Sequence, residues 1–169
     1  ATSNPKTPIK SDTLKSSGRF NFINLQTHFL KPSPPNKKMQ GNAHFSDNSL
    51  DIRIKKGVID DISVDGSLIE VSQNNTGKYQ IDVNLMANGP VQSIRKLLEN
   101  ESLGINENIS SIPDGITGDT DLWANFSVPL GEFSPNKEIQ FNASAKIQQA
   151  NIPKAILGKD FENGEVRID

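Results

Sequence analysis

The sequence predicts a mostly β protein: one curved antiparallel sheet, trough-like or open-barrel-like, with one short amphipathic helix. Three observations lead there. Apolar residues alternate with polar ones along most of the chain, the period of a strand with one wet face. Turn signals built from Gly, Pro, Asn and Asp recur about every ten residues, the spacing of consecutive hairpins. A single stretch, just after Gly89-Pro90, changes to apolar spacings of three and four, the period of a helix.

Residues 1 to 17 are rich in Ser, Thr, Pro and Lys and read as a linker arm. In "GRFNFINLQTHFL" strict alternation places Phe20 and Phe22 on one face and Ile23 and Leu25 on the other, a strand covered in part on both sides. "KPSPPNKK" is a loop, because its prolines cannot donate to a ladder. "MQGNAHFS" and "SLDIRIKKG" form the next hairpin around Asp47-Asn48, with Leu50, Ile52 and Ile54 on one face and Gly57 free to turn. "VIDDISVDGSLIEVS" reads as two short strands joined by a hairpin at Asp65-Gly66. After a turn at 73–77, Tyr79, Ile81, Val83, Leu85 and Ala87 alternate along a long strand.

Then comes the helix. Val91, Ile94, Leu97 and Leu98 share one face, Ser93, Arg95, Lys96 and Glu99 lie on the other, and Pro90 suits the first helical turn. "GINENISSIPDGITG" is an irregular connector. "DTDLWANFSVPL" is a second long strand, with Leu122, Ala124, Phe126 and Val128 on one face. "KEIQFNASAKIQQ" is a third, with Ile139, Phe141, Ala143, Ala145 and Ile147 aligned. "ANIPKAILGKDFENG" reads as a loop, with or without one helical turn, and "EVRID" as the start of a last strand. The three long strands span roughly 30 Å each. No second set of equal length exists to oppose them as a sandwich. A curved sheet that wraps its own apolar face, closed at one end by the helix, resolves this.

Composition narrows the function. Among 169 residues the apolar share is only 34%, yet it lies in ordered runs, so the chain folds. A net charge of −2 with Lys and Arg spread along the sequence argues against nucleic acid as the main partner, because gripping a phosphate backbone needs a concentrated basic face. Without cysteine there is no disulfide, thiolate metal site or Cys nucleophile. No apolar run reaches the ~20 residues of a membrane span. Both ends read as cut from a longer chain.

Catalytic chemistry is sparse. His28 and His44 lack partners at metal-ligand spacing and read as surface histidines. Asp60-Asp61 read as a turn and Asp119/Asp121 as a solvated strand face. No nucleophile elbow, P-loop or dinucleotide fingerprint occurs. The Asn-x-Ser/Thr triplets at Asn74, Asn100, Asn108, Asn125 and Asn142 follow from composition. Trp123, facing away from Leu122 and Ala124, reads as cover for the back of the sheet, with stacking on a sugar or seating in a membrane interface as the alternatives. No metal and no cofactor is expected.

The order of the pieces carries a resemblance. A strand ends in Gly89-Pro90, a short helix holds Leu97-Leu98, and a strand led by Gly118 to Thr120 ends in Pro129-Leu130. Upstream stands "QGNAHFSDNSLDIRIKKGVIDDISVDGSLIEV". Over residues 18 to 169 this resembles the AsmA-like and TamB-like superfamily of bacterial envelope proteins, in particular its YhdP-type branch. The resemblance implies a protein that is not an enzyme. It implies inner-membrane anchoring through parts of a longer chain, a reach across the periplasm, and repeated β-units stacked into an apolar groove that passes phospholipid toward the outer membrane. Its partners are then phospholipid and neighbouring repeats. On that reading the groove is lined by Leu50, Ile52, Ile54, Tyr79, Ile81, Val83, Leu85, Leu122, Phe126, Val128, Ile139, Phe141 and Ile147, and Val91, Ile94, Leu97 and Leu98 cap or plug it. Ala124, Ala143 and Ala145 either leave room for a chain or mark close packing. A β-sandwich module for sugar or protein, and an architectural envelope segment without cargo, are the alternatives.

Overall fold

A computed structural model describes residues 15–27, 36–73, 77–99, 115–130, 140–156 and 158–168. Nine strands form one antiparallel sheet: β1 (Ser17–Thr27), β2 (Asn36–Ser46), β3 (Ser49–Ile59), β4 (Ile62–Ser63), β5 (Leu68–Gln73), β6 (Tyr79–Pro90), β7 (Thr117–Pro129), β8 (Gln140–Ile156) and β9 (Lys159–Ile168). The one described helix, α1, is Val91–Leu98. Each strand lies beside the next in sequence, and β4 and β5 share one lane between β3 and β6. Among the described residues no ladder joins β1 to β9, so the sheet has two edges and is open. The mostly β, curved antiparallel architecture with one short helix is the one that alternation predicts. The expectations for residues 1–14, for His28, for most of the 31–38 loop and of the 104–118 connector, and for Ile139 lie outside the described residues.

Curvature has a local cause. At the end of the sheet that carries α1, the strands are bulged. Register slips between Phe22 and Leu25 on β1, where Asn24 has φ 56°, and between Lys37 and Gln40 on β2, where Lys38 has φ 56°. It slips again at Gly118 (φ 138°) on β7, and at Gln149 (φ 51°) and Lys154 (φ 54°) on β8. Each bulge bends its strand and increases the twist. A row of them lies across the end of the sheet on which the helix packs.

Several expectations are corrected by these irregularities. Leu25 does not lie opposite Phe22: the bulge at Asn24 inserts a residue and returns Leu25 to the face of Phe20 and Phe22. The hairpin turn is at Asp60-Asp61, where Ile59 pairs with Ile62. Asp65-Gly66 instead makes a detour within the β4–β5 lane. Against β3 the two pieces keep one register, while against β6 the lane holds one extra residue. The gap is bridged by Ser67, whose Oγ donates to the Met86 carbonyl (3.2 Å) and accepts from the Met86 N–H (3.0 Å). Asp65 Oδ1 accepts from the Gly57 N–H at 2.8 Å.

Gly57 is not a turn residue. It lies buried within β3, where an added Cβ would fall 2.3 Å from Met39 Sδ. Pro90 is the last residue of β6 and the residue before the helix, with ψ 135°, rather than part of its first turn. "ANIPKAILGKDFENG" is mostly strand. Pro153 is tolerated in β8 because it falls in the irregular register between Ile152 and Ile156, where no regular ladder bond is lost.

An eight-residue helix is not stable alone. Here Val91, Ile94, Leu97 and Leu98 are all buried against the sheet, each contributing about 1.5–3 kcal/mol by area. Polar groups hold the outer face: Ser93 Oγ donates to Asp61 Oδ2 at 2.9 Å, Arg95 pairs with Glu99 at 2.8 Å, and Gln92 donates to the Ile116 carbonyl. Arg95 and Lys96 also complement the negative end of the helix dipole.

Candidate functional site: an apolar sheet face covered at one end

The register aligns the apolar positions of successive strands into rows that cross the sheet. Ala87, Leu122, Ala145 and Ile168 form one row. Leu85, Ala124 and Ala143 form the next. Beyond them Phe20, Ala43, Ile52, Ile69, Val83, Phe126 and Phe141 stand directly opposite one another on seven strands. Phe45, Leu50, Val71, Ile81 and Val128 make the outermost row. At the usual strand separation the seven-residue row is roughly 29 Å long.

Cover is uneven. Under the helix, Ile94, Leu97 and Leu98 pack with Met39, Ile54, Ile62, Val64, Ala87, Leu122 and Ala124 in one closed cluster. Val91 joins Ile116, Ile147 and Ala150 in a second cluster toward β9. Away from the helix the same face loses its lid. Ile52, Ile69, Val83, Phe126, Phe141, Leu50, Val71, Ile81 and Val128 are half-buried, and Tyr79, Phe45 and Phe20 are 40%, 40% and 52% exposed. An apolar hollow of about 100 Å³ opens at the β1–β3 side, lined by Phe20, Phe22, Leu25, Ile52, Ile54 and Ile69 among others. It is somewhat smaller than the ~150 Å³ dry cavity that admits a benzene ring.

The sequence-selected residues therefore divide. Leu50, Ile52, Tyr79, Ile81, Val83, Leu85, Phe126, Val128 and Phe141 share the apolar face and retain exposure. Leu122 and Ile147 share the face but are closed off, at 3% and 1% exposed, and are core rather than lining, while Ile54, 6% exposed, belongs to the closed cluster and borders the hollow. Ala124 marks close packing beneath the helix. Sequence reading missed Phe20, Leu25, Phe45, Ile69 and Val71 as lining. Ile69 and Val71 alternate in "LIEVS" and were available to the pattern, whereas Leu25 was hidden by the bulge.

No catalytic constellation assembles among the described residues, and no group of three metal-ligating side chains converges. Asp121 accepts from Asn88 Nδ2 (2.7 Å) and Gln148 Nε2 (3.1 Å), as a solvated strand face does. A polar depression of about 330 Å³ between β8 and β9 includes Asp160 and Asn151, but these acceptors are occupied by the N–H groups of Lys154 (2.8 Å) and Asn163 (3.0 Å). Trp123 lies on the convex face, 45% exposed, cross-strand from Met86. Near it, Lys146 at 3.0 Å and Arg167 at 3.1 Å hold the Glu165 carboxyl below the ordinary carboxylate range. No helix among the described residues is long and apolar enough to cross a membrane. Comparison with known proteins adds no relative: no family model, curated protein or solved structure matches the chain.

Proposed function

We propose that this chain is a segment of an AsmA/YhdP-like, inner-membrane-anchored protein of the bacterial periplasm, and that its apolar trough shelters phospholipid acyl chains on their way to the outer membrane. The observation that carries the reading is the seven-strand apolar row from Phe20 to Phe141, most of it half-buried, on the face that the helix closes at the other end. Lipid tails crossing water need cover of this kind: roughly fifteen methylenes left wet cost about 12 kcal/mol. The lining is chemically uniform, so a chain can slide without meeting a deep site. Open sheet edges at β1 and β9 allow neighbouring repeats to lengthen the trough by strand addition. No reacting group is required.

Native mass spectrometry of the chain with its flanking sequence, purified from a bacterial envelope, tests this. The expected result is phospholipid bound at about one or more molecules per chain, lost when Val83 and Phe126 are both changed to Ser. A chain that is folded and lipid-free would leave the architectural reading in its place.

A further inference from the structure

The opposite face of the sheet carries a different constellation. On the convex side, Arg19 stands across from His44, and His44 across from Asp51; one row over, Asn42 stands across from Arg53. These five side chains line a depression of about 290 Å³ near the β1 edge. His44 Nδ1 lies 3.8 Å from Asp51 Oδ2. The two arginines are exposed, and neither makes an ion pair or side-chain hydrogen bond with another described residue. The other arginines differ: Arg95 is tied to Glu99 and Arg167 to Glu165.

The geometry points to an oxyanion site, taking a phosphate monoester or inorganic phosphate between the guanidinium groups of Arg19 and Arg53, with the Asn42 amide and the His44 imidazole N–H as further donors. Planar guanidinium forks match tetrahedral oxyanions in pairs of parallel hydrogen bonds. The depression is open to solvent, which keeps the affinity in the millimolar range. Asp51 is the one anionic member and opposes the ligand. Because strand alternation puts this site on the face away from the apolar trough, it stands independently of the lipid reading.

The test is titration of the folded chain with sodium phosphate at constant ionic strength, followed by amide and guanidinium NMR signals. Saturable shifts confined to Arg19, Asn42, His44 and Arg53 are expected. R19Q/R53Q should weaken binding about tenfold or more, R167Q should leave it unchanged, and D51N should tighten it. If the double variant loses its fold, R19Q and R53Q singly should each weaken binding about threefold. Glycerol 3-phosphate and vesicles containing phosphatidic acid distinguish the two sources of such a phosphate. Tighter vesicle binding assigns a lipid head group, and equal binding a soluble ester. Shifts that fail to saturate, that spread over the other basic residues, or that persist in R19Q/R53Q overturn the site.

Discussion

The two ends of one apolar face have the same alternation and opposite fates. At the helix end, Ala87, Leu122 and Ala124 are closed off beneath Ile94, Leu97 and Leu98. A few residues along the same strands, Val83, Phe126 and Ile81 point the same way and stay half-buried. Strand pattern decides which face is apolar. Whether that face is covered depends on a second element, and eight helical residues with a row of bulges cover only one end. On the proposed reading, the uncovered end is where an acyl chain lies.

Mutation should separate the ends sharply. Ile94→Ala, which opens a cavity in a closed cluster, should lower the unfolding free energy by about 3 kcal/mol, read by urea denaturation followed by circular dichroism. Gly118→Val should cost about 2 kcal/mol in the same assay, because the residue has φ 138° and its Cβ would fall 2.6 Å from the Gln148 carbonyl oxygen. Val83→Ala, at the uncovered end, should cost about 1 kcal/mol or less. If Val83→Ala proved as damaging as Ile94→Ala, the two ends would be equally closed and the comparison would fail.

The smallest effect concerns charge. Lys146 and Arg167 lower the Glu165 carboxyl below its unfolded value, so it stabilises the fold above the ordinary carboxylate range. That contribution is lost as pH falls through the lowered folded value. Glu165 is solvent-exposed, so Glu165→Gln should leave the melting temperature nearly unchanged at neutral pH and slightly flatten its decline in acid, as scanning calorimetry at several pH values would show.

Much of this was readable in the residues. The alternating sets in β3, β6 and β7 and the four apolar positions of α1 are local patterns, and each meets the environment its period implies. What was not readable depends on partners across the sheet. A bulge such as that at Asn24 adds a residue to one strand relative to its neighbour, and nothing in the strand's own alternation marks it. Asp65-Gly66 is a true turn signal, but whether a turn reverses the chain or merely detours within a lane is decided by the β3 register on one side and the β6 register on the other. Exposure likewise escapes the pattern: Leu122 and Phe126 have the same spacing, and only the helix overhead makes one core and the other lining.

The most direct test places a photo-crosslinking amino acid singly at Ile81, Phe126, Phe141, Leu122, Asp82 and Asn142 in the full-length protein and identifies what is captured in the cell envelope. Phospholipid should be captured at Ile81, Phe126 and Phe141, and neither at the helix-covered Leu122 nor at the wet-face Asp82 and Asn142. Capture confined to Asp82 and Asn142, or equal at all six positions, would contradict the trough.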